Sequence, residues 1–369
     1  MKIFCVIGIA AVAVMLSGCG GGSQPQLMPS APFQPTLSHD GGKVALWVTD
    51  FSKNQVLGLT ADAKQTLISI DTATQKEYCS YPLGLKVDAH QNVWAACTDG
   101  NGTSGGALQE YNSAGKQVAQ YTSGCPVNLG KNACKDGWSA PFTDGASGGK
   151  NACGVVQEFE AKSSATDYVY GTGFICWQLG KPSAGSTVTA VWSCTEPGGS
   201  CTGANNTVGS ARAADLDPKG NIWFSYQGSN SSCSYGGGLG EVTNPRSPSA
   251  TVTIVKSPCF LTYPGGIYIS NHGTVLNAID SDARVVYQFH LPVTASSTPF
   301  RTLGPTKTNG SGLGQPFSGG FNKSDSTMII ADAACWLDVG SVAGKKNSWS
   351  MLSNRSFCPG SAGYTPSDK

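Results

Sequence analysis

The chain has 369 residues, with 24 Lys and Arg against 23 Asp and Glu, 13% charged residues, 48 Gly and 14 Cys. A near-neutral balance with no basic patch or acidic tail excludes the electrostatic footprint of a nucleic-acid binder. Abundant Gly and 9% aromatic residues suit tight turns and aromatic-packed sheets, and no long segment carries a helical period.

The chain opens with Lys2 and an almost unbroken apolar run from Ile3 to Leu16, the size of a signal-peptide core rather than a comfortable membrane span. Leu16-Ser17-Gly18-Cys19 resembles the bacterial lipobox, which implies cleavage of a lipoprotein signal peptide, residues 1–18, before a diacylated Cys19. The other reading is an ordinary signal peptide with an incidental Cys. Residues 19–36 then form a tether of Gly, Pro, Ser and Gln without charge. Gly20 after the lipidated Cys, by resemblance to the sorting rule of Gram-negative bacteria, implies the outer membrane of the cell envelope, with the membrane itself as a partner through the anchor. Without Lys2 the mature chain is formally neutral.

From Leu37 a hairpin unit recurs. Its clearest copy is RAADLDPKGNIWFSY, Arg212 to Tyr226, where alternating residues reach Asp217, Pro218-Lys219-Gly220-Asn221 makes the turn, and Ile222-Trp223-Phe224 resumes an apolar run. Further copies are LSHDGGKVALWVTD, VDAHQNVWAA, ISNHGTVLNA, FNKSDSTMIIAD and, less cleanly, EFEAKSSATDYVY. With Trp47, Trp94, Val169, Trp223, Leu276 and Ile330 as equivalent second-strand positions, the intervals are 47, 75, 54, 53 and 54 residues. Each hairpin is followed by another pair of strand-like runs, such as GEVTNP and ATVTIVK. The expectation is an all-β fold, a six-bladed β-propeller of four-stranded blades over residues 37–364, stabilised by disulfides. The inner strand of the first blade comes either from Phe33 to Leu37 or from Cys358 to Tyr364. The long interval holds an insertion at about 126–152, with Trp138 and Phe142, readable as a binding loop or as a disulfide-pinned excursion.

YPGGIYISNHGTVLNAIDSDARVVYQF, Tyr263 to Phe289, and YPLGLKVDAHQNVWAACTDG, Tyr81 to Gly100, resemble NHL-type repeats: Pro-x-Gly, an apolar strand, a turn, a second apolar strand and a third. The resemblance implies a blade and no particular activity.

Setting aside Cys5 and Cys19 leaves an even set of cysteines in an exported chain, which reads as disulfides, since no Cys-x-x-Cys or His cluster suggests a metal. Pairing neighbours in the repeat frame joins Cys79 with Cys97, Cys125 with Cys134, Cys153 with Cys176, Cys194 with Cys201, Cys233 with Cys259, and Cys335 with Cys358. A rival scheme joins Cys97 to Cys125 and Cys176 to Cys194, and spacing does not decide between them.

Catalytic residues do not emerge. Three of the four His (His39, His90, His272) fall in hairpin turns and His290 ends a third strand, so no poised base is visible for a nucleophile. The gluconolactonase and SMP-30-like propellers, which this chain resembles in its repeats, hold a divalent cation at the channel. Asp50, Asp99, Asp280 and Asp332, at second-strand ends, are the oxygen donors that could do this, against a role as turn caps. The favoured function is a binding or scaffold module with a protein or glycan ligand, no catalytic residues and no cofactor. The alternative is a metal-dependent lactonase or lyase.

Overall fold

The computed structural model describes residues 43–73, 82–88, 90–97, 107–122, 138–143, 151–162, 168–178, 187–196, 201–203, 207–228, 236–245, 250–270, 272–304, 313–322, 325–332, 335–341, 348–353 and 359–365. Among them every regular element is a strand. In chain order these are β1 (Leu46–Asp50), β2 (Gln55–Leu59) and β3 (Thr66–Asp71), then β4 (Pro82–Val87), β5 (Val93–Cys97), β6 (Ala107–Tyr111) and β7 (Gln117–Thr122). Next come β8 (Trp138–Thr143), β9 (Asn151–Lys162), β10 (Tyr168–Gln178), β11 (Thr187–Glu196) and β12 (Cys201–Gly203). β13 (Val208–Leu216), β14 (Ile222–Gly228), β15 (Gly237–Thr243) and β16 (Thr251–Leu261) follow, then β17 (Pro264–Ile269), β18 (Val275–Asp280), β19 (Val285–His290) and β20 (Arg301–Leu303). The last are β21 (Pro316–Phe321), β22 (Thr327–Asp332), β23 (Trp336–Ser341), β24 (Ser348–Ser353) and β25 (Pro359–Tyr364).

These strands build a β-propeller. The sequence led us to expect six uniform four-stranded blades; the structure has five, β25-β1-β2-β3, β4 to β7, β13 to β16, β17 to β20 and β21 to β24, and a remaining sheet of five strands, β12-β11-β10-β9-β8. The innermost strands touch in the cyclic order β25, β4, β8, β13, β17, β21 and back to β25. The C-terminal option for the first blade is the one adopted: Leu46 lies opposite Tyr364 and Val48 opposite Ala362. Closing the sheet this way leaves β1 no open edge.

The five-stranded sheet also corrects the repeat frame. Trp138 to Thr143, assigned to the insertion at 126–152, is the inner strand, paired with β9. Val169 consequently sits on the third strand from the centre, not the second. WSAPFT alternates as a half-buried strand should, but it lies in a Gly-rich setting that reads as loop. Residues 126–137 and 144–150 lie outside the described residues, as do residues 1–42, with the signal peptide, Cys19, the tether and His39.

The core lies between neighbouring sheets. Trp47, Ile68, Leu85, Val93 and Tyr111 join the first sheet to the second; Val155, Phe174, Val208 and Phe224 join the five-stranded sheet to β13 to β16. Trp223, Leu239, Ile267, Leu276 and Phe289 fill the next gap, and Ile279, Val286, Leu303, Met328 and Ile330 the one after. Leu46, Leu57, Ile329 and Leu337 join β21 to β24 to the first sheet. Each such side chain removed from water contributes about 1.5–3 kcal/mol. Packing is close enough that a Cβ on Gly240 would lie 2.2 Å from the Phe224 ring, which is why β15 reads GGLGEVT.

Candidate functional site

Three of the four aspartates proposed as cation donors occupy one register position: Asp50 opposite Pro359, Asp280 opposite Pro264 and Asp332 opposite Pro316. In the β4–β5 pair Cys97 faces Pro82, so Cys97 is the counterpart there; Asp99 lies outside the described residues. Asp280 and Asp332 are engaged by backbone N–H groups, and Asp50 through one oxygen, its Oδ2 lying 3.7 Å from Lys53 Nζ with no hydrogen-bond partner among the described residues. Asp280 accepts from the backbone N–H of Thr262, Tyr263 and Ala283 at 2.7, 3.1 and 3.1 Å. Asp332 accepts from Gly314 and Gln315 at 2.7 and 2.8 Å, and Asp50 accepts from Ser52 Oγ at 2.7 Å. Asp280 and Asp332 thus pin the linker entering their own sheet. Buried Asp338 is pushed to a higher pKa by burial and then by the Asp332 charge. Among the described residues, no group of three or more His, Cys, Asp or Glu is placed to hold a metal.

The hairpin turns at the other ends of these strands carry a second repeated arrangement. In β4–β5, Asp88 Oδ1 accepts from the N–H of His90 and Asn92, Asp88 Oδ2 accepts the Trp94 indole N–H at 3.0 Å, and Asn92 Nδ2 donates to Glu110 Oε1 at 3.0 Å. In β13–β14 the same parts recur: Asp217 takes the N–H of Lys219 and Asn221, Trp223 Nε1 reaches Asp217 Oδ2 at 3.2 Å, and Asn221 Nδ2 reaches Glu241 Oε1 at 3.1 Å. A buried indole needs a partner for its one N–H, and the turn aspartate supplies it. Burial, followed by the turn aspartate's charge, pushes Glu110 up to about 7 and raises Glu241. His90 belongs to this turn machinery, as the sequence indicated.

The β17–β18 hairpin departs from that arrangement. Its turn is one residue longer: Ser270 N–H bonds Val275 O, where Asp88 bonds Asn92 O. The register therefore slips, and the residue matching Trp94 and Trp223 is Asn277, opposite Tyr268, not Leu276. The same extra residue in β21–β22 makes Ile329, not Ile330, the equivalent. On the third strand Gln288 stands opposite Asn277, where Glu110 stands opposite Trp94 and Glu241 opposite Trp223. An amide thus replaces an indole, and a cleft of about 210 Å³ opens toward the next sheet, with Asn277, Gln288, Phe300, Phe321, His272 and Asp325 in its lining.

Its polar groups are ordered. Asn277 Nδ2 donates to Tyr268 O at 3.1 Å and Gln288 Nε2 donates to Asn277 Oδ1 at 2.8 Å. Asn277 is fully buried and Gln288 4% exposed. His272, in the β17–β18 turn, bonds Asp325 of the β21–β22 turn through Nδ1 at 2.6 Å and through its backbone N–H at 3.2 Å. Phe300 is 47% exposed and stacks on His290 at 4.1 Å with 12° between planes. The sequence reading placed His272 and His290 correctly but missed Asn277, Gln288, Asp325 and Phe300 as a group. The available signal was the loss of the Asp-x-x-x-Asn-x-Trp spacing in ISNHGTVLNA.

Side chains of the innermost strands bond one another. Lys86 Nζ of β4 reaches Asp215 of β13 at 3.0 Å, and Asp215 also accepts the Ile269 N–H at 2.9 Å. Tyr268 OH bonds Ser318 Oγ, which lies 2.5 Å from Ser361 Oγ.

The cysteines follow the strand registers. Cys153 faces Cys176 across β9–β10 and Cys194 faces Cys201 across β11–β12. Cys259 lies in β16 and Cys335 just beyond β22. Cys79, Cys125, Cys134, Cys233 and Cys358 lie outside the described residues.

No family model matches this chain, and no curated protein matches it. Solved structures do resemble it. A chain of the nidogen/laminin complex superposes with a TM-score of 0.54 at 10% identity, covering 87% of this chain and 98% of that one. A functionally unknown protein from Desulfotomaculum acetoxidans DSM 771 gives 0.53 at 11% identity, covering 88% and 99%. A 6-phosphogluconolactonase candidate from Bacteroides fragilis NCTC 9343 gives 0.51 at 9% identity, covering 89% and 99%. At such identities the resemblance extends to the β-propeller fold alone.

Proposed function

We propose that this chain is a lipid-anchored propeller of the bacterial cell envelope that serves as a ligand-binding module. Cys19 carries the lipid, residues 19–36 form the tether, and Gly20 favours the outer membrane. The five-stranded sheet completes a ring of six, built on NHL-type hairpins and held by disulfides. The bonded state of the Cys153, Cys259 and Cys335 sulfurs and the facing pairs Cys153–Cys176 and Cys194–Cys201 support the disulfide set. The observation that carries the binding reading is the cleft at Asn277, where the β4–β5 and β13–β14 hairpins place an indole. Small-molecule sites are concave, with a few fixed polar groups beside apolar walls, and Asn277, Gln288 and Phe300 fit that description. No particular observation favours the metal-dependent lactonase or lyase, because the oxygens of Asp280 and Asp332 hold backbone N–H groups.

Two measurements test the reading. Cys19→Ser should abolish lipid labelling and move the protein to the soluble fraction; unchanged membrane association would end the anchor. The wild-type chain should recover a protein or glycan partner from envelope fractions that Asn277→Trp, which refills the cleft, fails to recover. Equal recovery by both would remove the cleft from the proposal.

A further inference from the structure

We infer that the cleft between the β17–β20 and β21–β24 sheets receives a single pyranose ring, the terminal sugar of a glycan. The inference rests on the binding reading above and supplies its ligand class. Size comes first: about 210 Å³ is smaller than the roughly 300–1,000 Å³ of pockets that hold drug-sized ligands, so one ring is the appropriate occupant. Shape and chemistry follow. Phe300 has one face backed by His290 and remains 47% exposed, a flat apolar shelf with its support already in place. The C–H face of a pyranose is the apolar surface that matches such a ring.

The opposite requirement, hydroxyls that both donate and accept, is met by the amide chain. Tyr268 O fixes Asn277, and Asn277 Oδ1 takes one Gln288 N–H, which sets the Gln288 amide so that its oxygen is free of that chain and acts as an acceptor. Both amides are at least nine-tenths buried and line the cleft, so a hydroxyl there meets polar groups without the mobility of a surface side chain. The rim pairs His272 with Asp325, bringing opposite charges together at the mouth when His272 is protonated. Arg301 also lines the cleft, and its guanidinium N–H groups add donors suited to sugar hydroxyls. Replacing Asp, Asn, Trp and Glu of the β4–β5 and β13–β14 hairpins by Ser270, Val275, Asn277 and Gln288 also exchanges two carboxylates for neutral groups.

The test uses the purified full-length protein in detergent. Methyl glucopyranoside, methyl galactopyranoside and N-acetylglucosamine are the probes, and sorbitol is the open-chain polyol with hydroxyls but no ring. Saturation-transfer NMR should show transfer to the ring protons of at least one pyranoside and none to sorbitol. Calorimetry should give binding about tenfold weaker for Phe300→Ala and for Gln288→Leu. Phe300 is exposed, so its variant should melt as wild type does and remains informative if Gln288→Leu is poorly folded. Absence of transfer to all three pyranosides, equal transfer to sorbitol, or unchanged affinity in Phe300→Ala would each overturn the sugar assignment. If one of these occurred while an envelope partner was still lost on Asn277→Trp, the sugar would fall and the binding module would stand.

Discussion

At Trp223 one side chain couples two kinds of constraint. Its indole is fully buried between sheets while its N–H is held by Asp217 at 3.2 Å, so packing and polar satisfaction depend on one residue. Trp223→Ala should cost roughly 3–5 kcal/mol, read as a lower midpoint in urea, whereas Lys219→Ala in the adjoining turn should stay within about 0.5 kcal/mol. If the two variants melted alike, the assignment of strand and turn would be wrong. Glu110 gives a pH prediction from the same arrangement. Burial and Asp88 raise it from 4.5 to about 7. Between those values the folded chain keeps a proton that the unfolded chain has released, so this residue's contribution to stability falls as pH rises through that window. Glu110→Gln should flatten that part of the melting-temperature profile; an unaltered slope would assign it to other groups.

At the level of the strand pair, what the sequence revealed depended on turn length. Where Asp and Asn enclose three residues, as in LDPKGNIW, the hairpin and the buried Trp could both be read directly from spacing. One added turn residue in ISNHGTVL displaced the register without changing the apolar pattern, because Leu276 and Ile330 are buried too. A one-residue slip moves a strand's side chains to the other face, which is why Asn277 and its cleft escaped notice. The aspartates illustrate the reverse case: their positions were legible, but their partners are backbone N–H groups of linkers that no side-chain pattern announces. Asp280→Ala leaves the N–H groups of Thr262 and Tyr263 without their acceptor and should cost roughly 2–4 kcal/mol. Hydrogen exchange at those two amides provides the local readout, and protection equal to wild type would contradict the role.

For the whole molecule, the repeat period was strong enough to give the propeller, and the composition of one sheet was not. Its inner strand, WSAPFT, sits among Gly, Lys and Asp far from the hairpin code, so its composition reads as loop and only its pairing with β9 marks it as a strand. Ring closure was equally hidden, since both ends of the chain offered a short segment of suitable composition. The observed choice makes a direct prediction. Removing residues 359–369 strips β1 of its inner neighbour and should abolish a single cooperative thermal transition, even though every residue of the other sheets is retained. A truncated chain that still melted in one sharp step would show that β25 is dispensable.

The same closure has a consequence for biosynthesis. Ser361 N–H meets Thr49 Oγ1 across 312 positions of chain, so the first strands to leave the ribosome wait for nearly the last before they have their neighbour. Pairings this distant in sequence form slowly. A nascent chain of this kind therefore stays open along one edge throughout synthesis. Such an edge invites pairing with other chains until β25 arrives, and a factor that shields it during that interval would act on the unfinished polypeptide rather than on the finished ring.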